Sequence, residues 1–378
     1  MTHDALISGA AESPYARHPP AGTTTEIVLA DAFLRVLANA GIERAEVDGL
    51  GVASFTLKSD HAIDLAWRLG VRLRWLMEDT NGGASGLNLL QHAVAAVERG
   101  DAATIVLLAG DHFGDGDFER LVNEYNRATR DHLAPIPFGG PNAQFALLTQ
   151  RHMETHGLSR ADYGRISVAQ RRWASLNPGA VYRGLLTIED YLSAPIVAAP
   201  LGRYDCVPVV SGADAVVVSS AARHRPVRIK AFRAVYNHDG QRADGLGLGL
   251  AELAPGLWDE AGFGPQALDL AAVYDDYPVM VLVQLSELGL VPGGDMRRFL
   301  ERLDEERWPL NTSGGQLSAG QAGAGGGLHG LVEAVAQLRG EAGERQVEGA
   351  SRALVSGYGM VLYRYGAAAN AVVLEAGA

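Results

Sequence analysis

An α/β fold built from two related halves is what this sequence predicts, and three observations carry the prediction. The runs Ala103–Ala109 (ATIVLLA) and Asp214–Ser220 (DAVVVSS) have the unbroken hydrophobicity of strands covered on both faces. Strand-like and helix-like segments alternate along the chain, the pattern of helices packed on a parallel sheet. An ungapped self-alignment of Gly86 with Gly327 pairs Leu87 with Leu328, Leu90 with Leu331, Ala93 with Ala334, Val94 with Val335, Ala95 with Ala336 and Val97 with Leu338. Each of these helices has a Gly-rich entrance, and each is followed by a strand, Ala103–Ala109 or Ala353–Ser356.

In chain order, Ala5–Ala10 reads as a strand, and Thr24–Ala40 as a helix with an apolar stripe at Ile27, Ala30, Phe33, Leu34 and Leu37 that stops at Gly41. Leu50–Phe55 is a second strand and Leu65–Leu69 a short helix. Asn81–Gly86 is a turn into a helix ending at Arg99, and the buried strand 103–109 follows. The pattern then changes over about 111–201, which holds a Pro-rich stretch (Pro135–Pro141), a helix near Gln144–His156 and the arginines 160, 165, 171, 172 and 183. This stretch is an insertion on the core. Its arginines suit either a solvated helical face or a site for an anionic cofactor tail, with Arg171 and Arg172 as candidates. After the strand at 214–220, Arg223–Pro226 is a linker, so the halves are 1–222 and 223–378. The second half runs strand Val227–Ala231, helix Glu252–Ala261, strand Leu270–Tyr274 and helix Met280–Leu288.

The 378 residues, 47% of them hydrophobic, suffice for two cores. A net charge of −12 argues against nucleic acid and anionic membrane as partners. No apolar run reaches 18 residues and no signal-peptide pattern opens the chain, so a cytoplasmic protein is expected. The one cysteine, Cys206, excludes an internal disulfide and a Cys-cluster zinc site, and it reads as a packed small residue. No metal ligand set is apparent.

The turn Asn81-Gly-Gly-Ala-Ser-Gly86 delivers a helix N-terminus whose free N–H groups and partial positive charge suit a thioester oxygen, an oxyanion or a phosphate. The same pattern equally suits a tight connection alone.

Four loops resemble those of the thiolase superfamily. Pro309-Leu-Asn-Thr-Ser-Gly-Gly-Gln-Leu-Ser-Ala-Gly-Gln-Ala-Gly-Ala-Gly-Gly-Gly327 is similar to its N-x-x-G-G…G-H-P-x-G-x-x-G loop, and Val273-Tyr-Asp-Asp-Tyr277 stands at its N-E-A-F loop. Ser356-Gly-Tyr-Gly359 stands at its final C-x-G loop and Asn81–Gly86 at its C-x-S-G loop. The stretch Val332–Val347 is similar to the sterol carrier protein x branch. The resemblance implies two βαβαβαββ-type halves in a five-layer α-β-α-β-α core with an inserted loop domain.

The departures from the family pattern redirect the chemistry. Thiolases use two cysteines and a histidine. Here Gly83 holds the first cysteine position, Gly357 the second and Gln321 the histidine position. Ser85, in the motif's serine position, lacks a base and is a poor nucleophile. Tyr274, Tyr277 and Tyr358 lie in loops that converge in the family, where a phenol can donate to an enolate or move a proton, although each also suits a core aromatic. Gln321 keeps a donor for a thioester carbonyl, and His329 is a further polar candidate. The roles of Asp275 and Asp276 stay open.

Tyrosines in place of cysteines and glutamine in place of histidine resemble the thiolase-like aldolases that cleave steroid side chains as CoA thioesters. That implies a retro-aldol lyase with Tyr274, Tyr358, Tyr277, Gln321 and His329 as catalytic candidates. Gly83, Ser85, Gly357, Arg171 and Arg172 would bind the coenzyme A portion of the substrate, no cofactor being held covalently. It implies a homodimer joined to a small OB-fold partner with a zinc ribbon, hence a heterotetramer. Two alternatives are a catalytically silent acyl-CoA-binding or scaffold subunit and a Claisen-type acyltransferase.

Overall fold

The computed structural model describes residues 5–377 other than 60, 137, 241, 243 and 362–365. The first half comprises β1 (Leu6–Glu12), α1 (Thr25–Ala40), β2 (Gly49–Ala53), α2 (His61–Leu69), β3 (Trp75–Glu78), α3 (Ser85–Arg99) and β4 (Thr104–Asp111). Thr24, expected as the first helical residue, is the N-cap of α1, its side chain accepting from the Ile27 N–H, and Gly41 closes the helix at φ 67°. Between β4 and the last strand of this half lie α4 (Asp117–Glu124), α5 (Gly140–His156), α6 (Arg160–Ser175), α7 (Ile188–Ser193) and the hairpin β5 (Ile196–Ala198), β6 (Leu201–Gly202). Strand β7 (Gly212–Ser219) completes the half.

The second half contains β8 (Val227–Tyr236), α8 (Leu250–Ala261), β9 (Leu270–Val273), α9 (Pro278–Glu287), α10 (Met296–Glu305), α11 (Gly315–Ala319), α12 (Gly326–Arg339), β10 (Arg352–Gly359) and β11 (Ala368–Ala376). Among the described residues, the eleven strands form a nine-stranded sheet in the order β3-β2-β4-β7-β1-β8-β11-β10-β9 and the separate β5–β6 hairpin.

The duplication is visible in this order. Outward from the seam, β1-β7-β4-β2 on one side answers β8-β11-β10-β9 on the other, with matching directions: antiparallel, antiparallel, parallel. Among the described residues, β1 and β8 join the halves' sheets at Leu6–Arg228 and Ile7–Val227. The sheet is therefore mixed and not parallel as expected. Continuous hydrophobicity marks a strand covered on both faces and does not encode direction; β7 and β11 each run antiparallel between neighbours inside a covered sheet.

Side chains from α3 and α12 pack between the halves in one buried cluster with Ile7, Leu107, Val216, Leu270 and Val355. Helices α1 and α2 cover the outer face of the first half through Leu29, Phe33 and Leu65. The outer face of the second half is covered by α8 and α9 through Leu257, Met280 and Leu282. These are the five layers. Where α3 and α12 cross, Gly86 and Gly327, the two residues aligned in sequence, touch through their backbones. A Cβ on Gly86 would lie 2.1 Å from the Gly327 carbonyl oxygen. The segment between β4 and β7 does not stay with its own half: Phe145, Tyr163 and Ile166 of α5 and α6 join the core cluster of α9 and β11. No helix among the described residues is long and apolar enough to cross a membrane.

Candidate active site

The loops at the ends of β9, β10 and α3, the 321–323 turn and the inserted segment surround a pocket of about 300 Å³. Its floor is polar, formed by Tyr274, Asp276, Tyr277, Gln321 and Tyr358. Its roof is apolar, with Phe55, Phe113, Phe118, Leu121, Val122 and Leu133.

Tyr274 stands just beyond β9, tied by its N–H to Ser356 O (3.0 Å) and by its carbonyl to Gln284 Nε2 (2.7 Å). Its hydroxyl accepts from Gln321 Nε2 at 3.0 Å, which leaves the phenolic proton for another acceptor. Gln321 is held in turn by its Nε2 contact with Gln316 Oε1 (3.1 Å). Tyr358 comes from β10, where strand alternation turns Gly357 and Gly359 the opposite way. Those glycines face the 81–84 turn closely: a Cβ on Gly359 would lie 1.7 Å from Asn81 O, and one on Gly357 would lie 2.8 Å from Gly83 O. The Tyr358 hydroxyl donates to Asp276 Oδ1. The Tyr274 and Tyr358 rings meet edge to face, centroids 5.1 Å apart. Tyr277 caps α9, stacks on Phe145 at 4.2 Å and donates to Asn142 Oδ1 at 2.7 Å, so its proton is committed.

Burial holds all three phenols well above their usual pKa, and the nearby Asp276 carboxylate raises them further. None is a resting phenolate. Burial also lifts Asp276 to about 7, against the opposing pull of the Tyr358 hydrogen bond. A carboxyl poised there beside a phenol can accept a proton. The sequence left its role open. Asp275 faces away: its carboxylate accepts from Gln316 N (2.9 Å) and Leu317 N (3.3 Å) at the start of α11, and burial raises it to about 8.

Gly83 lines the pocket beside Tyr274. A Cβ there would lie 2.4 Å from Tyr274 Cε2 and Cζ and 2.4 Å from Tyr358 O. The tyrosine ring thus occupies the space a side chain at 83 would need.

Several expected residues lie elsewhere. Gly357 is inside β10, in register with Asn370, and is not on the pocket wall. Ser85 is buried off the pocket with its hydroxyl unpartnered. Arg171 is also buried off the pocket; its Nε donates to Ser318 Oγ (2.9 Å) and its guanidinium packs over Tyr182 and Tyr204, while Arg172 likewise lines no part of the wall. His329 lies beneath the floor with Nε2 2.8 Å from Ser313 Oγ, and burial lowers it to about 4. Cys206, expected to be packed away, is on the pocket wall, but burial raises its thiol to about 12, so it is no nucleophile.

The inserted segment supplies what the sequence did not reveal. Tyr125, Asn142 and Phe145 come from it, and Asn142 meets Tyr277 across 135 residues of chain. Asp111 at the end of β4 binds the walls together, accepting from Ser54 Oγ, Phe55 N, Thr56 N, Thr56 Oγ1 and Ala324 N at 2.7–2.8 Å.

Two α/β halves crossing through paired Gly-rich helix entrances define a thiolase-type protein, and known proteins agree. Residues 237–374 match the family model described as thiolase C-terminal domain-like. The chain is 32% identical to the 17-hydroxy-3-oxo-4-pregnene-20-carboxyl-CoA lyase of Mycobacterium tuberculosis, over 90% of this chain and 92% of that protein. It is 28% identical to the steroid side-chain-cleaving aldolase of Thermomonospora curvata, over 89% and 90%. Among solved structures, an Ltp2-ChsH2(DUF35) aldolase superposes with a TM-score of 0.85 at 26% identity, covering 99% of this chain and 98% of that one. The chain belongs to the thiolase superfamily, and within it to the thiolase-like aldolases, which are lyases.

Proposed function

We propose that this chain cleaves a β-hydroxyacyl-CoA, of the steroid side-chain class, by a retro-aldol reaction. The observation that carries the reading is the facing pair of dyads, Asp276 with Tyr358 and Gln321 with Tyr274, in a pocket with an apolar roof. The substrate's β-hydroxyl gives its proton to Tyr358 as Tyr358 passes its own to Asp276. The oxygen's electron pair forms the ketone, the Cα–Cβ bond breaks, and its electrons move through Cα onto the thioester oxygen as an enolate. Tyr274, whose proton is free, donates to that oxygen, with the positive end of α3 beneath it. Reprotonation at Cα releases the shorter acyl-CoA. The apolar roof suits a fused-ring body, and the names of the two relatives supply the class. Coenzyme A enters only as part of the substrate.

The assembly we propose is a cytoplasmic homodimer with two copies of a small OB-fold, zinc-ribbon partner, a heterotetramer. Supporting the dimer, β3 is an edge strand with Leu76 exposed, and α2, which contacts β3, exposes Ile63 and Trp67, an apolar edge that a second copy would cover. Supporting the partner, the superposed Ltp2-ChsH2 aldolase is named for two components.

The test is incubation of the chain, alone and with its partner, with a 17-hydroxy steroid side-chain CoA thioester, followed by mass detection of ketone and shorter acyl-CoA. Their absence from both incubations refutes the reading. Product formation undiminished in both Tyr274→Phe and Tyr358→Phe would instead make this chain a silent acyl-CoA-binding scaffold.

A further inference from the structure

Beneath the active-site floor lies a second cluster of chemistry-bearing groups that the reaction does not use. Glu12 closes β1, Asp214 faces it in register on β7, and His329 projects from the first turn of α12. One carboxylate oxygen from each acid and one ring nitrogen of His329 lie within 4.8 Å of one another. Asp214 is fully buried. Its Oδ2 accepts from the Tyr15 hydroxyl at 2.6 Å, but Oδ1 has no hydrogen-bond partner at all. The Tyr15 hydroxyl is also 3.2 Å from His329 Nδ1.

The duplication supplies an internal control. Asp214 is in register with Ala109 and Glu12; in the other half Asn370 is in register with Gly357 and Ala234. His329 falls on Asn88 when Gly327 is placed on Gly86. The equivalent place in the second sheet holds two amides and one carboxylate: Asn370 Nδ2 donates to Asn88 Oδ1 (3.0 Å) and Ala84 O (2.9 Å), Tyr236 donates to Asn88 Oδ1 (2.7 Å), and Asn88 Nδ2 donates to Asp79 Oδ2 (3.1 Å). There the single carboxylate has amide donors, Asn88 and Asn81, around it. In the His329 cluster two carboxylates face each other, and the nearby guanidinium of Arg345 is already paired with Glu333 at 2.9 Å. Two like charges without a counter-ion cost several kcal/mol in a buried setting. Consistently, Glu12 is raised to about 7 and Asp214 well above the usual carboxylate range, burial being the first cause in each and mutual repulsion a further one for Asp214.

We infer that Glu12, Asp214 and His329 form a binding site for one divalent transition-metal ion of the zinc or manganese kind. One imidazole and two carboxylates are a ligand set for such ions. Donor atoms around an ion at about 2.0–2.2 Å stand roughly 3–4 Å apart, so separations of up to 4.8 Å need to contract by up to about 1–2 Å. The ion displaces the Tyr15 hydroxyl from Nδ1 and takes up the orphan Oδ1. Ser313, 2.8 Å from Nε2, fixes the ring from behind, as an outer partner of a ligating histidine does. The half-exposed Glu12 side is the access path.

The experiment loads the purified full chain with Zn²⁺ or Mn²⁺, removes loose ions on a chelating resin, and measures retained metal by elemental analysis and bound Mn²⁺ by electron paramagnetic resonance. One ion per chain is expected. The double variant Asp214→Asn/His329→Asn copies the amide cluster of the other half and should keep its circular dichroism while affinity falls more than about 100-fold. Glu12→Gln, on the half-exposed side, is the second variant should the double one fail to fold. A wild-type chain that retains no ion, or variants that retain as much as wild type, overturn the inference; the first result would leave the cluster holding a proton in place of a metal.

Discussion

Replacing Gly83 by alanine adds one methyl group and tests the central feature of the pocket. The new Cβ would stand 2.4 Å from two carbons of the Tyr274 ring, whereas carbon atoms pack at about 3.5 Å or more, so the ring must retreat by roughly 1 Å. The φ of Gly83 is not in the left-handed region, so alanine is conformationally allowed there; the methyl group also meets the Tyr358 carbonyl oxygen at 2.4 Å, so the strain is shared between the ring and β10. Overpacking of this kind destabilises by about 1–3 kcal/mol. The larger effect is on catalysis. A displacement of about 1 Å carries the Tyr274 hydroxyl off its hydrogen bond with Gln321 and away from the enolate oxygen, for which a rate loss of about 100-fold is expected. Thermal melting and steady-state turnover of Gly83→Ala on the steroid CoA thioester, beside Tyr274→Phe, measure both. If the reasoning holds, the double variant Gly83→Ala/Tyr274→Phe loses little more activity than either single change, because both remove one donor. Wild-type turnover in Gly83→Ala would refute the claim that the ring fills the place of the side chain.

Asp276→Asn should lower kcat by about 100-fold or more and flatten the pH profile. In the wild type the base works only when ionised, so kcat/KM should rise with pH up to about 7 and then level, a profile that pH-dependent kinetics will show. Gly86→Ala drives a methyl group into the Gly327 carbonyl at the helix crossing, with no flexible side chain to yield, and should cost about 3 kcal/mol or more, read as a large fall in melting temperature or loss of soluble protein. Stability should also fall as pH rises. Asp275 and Asp276 keep their protons to about 8 and about 7 when folded but release them near 4 when unfolded, so the unfolded chain gains from ionisation as pH climbs from about 4 to 8. Melting temperatures at pH 6 should exceed those at pH 8.

The duplicated core was legible because its signals are local: helix periodicity, apolar runs and a Gly-rich entrance repeated on the same spacing. Gly86 and Gly327 are partners in the sequence alignment, and they are also partners in contact. Strand β11 was not anticipated. Its sequence, AANAVVLEA, begins with alanines that carry little strand preference, and its place is decided by pairing with β8 and β10. The sheet's mixed direction was hidden for a related reason: coverage by helices erases the alternation that would mark an antiparallel strand. Of the residues expected at the site, Tyr274, Tyr277, Tyr358, Gln321 and Gly83 surround one pocket, whereas His329, Ser85, Gly357, Arg171 and Arg172 do not. Asp276 could not be separated from Asp275 by sequence, since adjacent carboxylates differ only in which way the turn after β9 points them. The contributions of Asn142 and Phe145 arise from the inserted segment crossing to the opposite half, a long-range event with no short-range mark.

The crossing of α3 and α12 also has an electrostatic meaning. Both helices begin within a residue or two of their contact, so two N-terminal ends, each equivalent to about half a positive charge, converge under a single floor. That field inherits the near-symmetry of the duplication. The reagents do not: the phenols, the amide and Asp276 all come from the second half. The first half contributes its helix end, the apolar roof and the Asn142 acceptor for Tyr277, and the asymmetry of the chemistry rests on a symmetric electrostatic foundation.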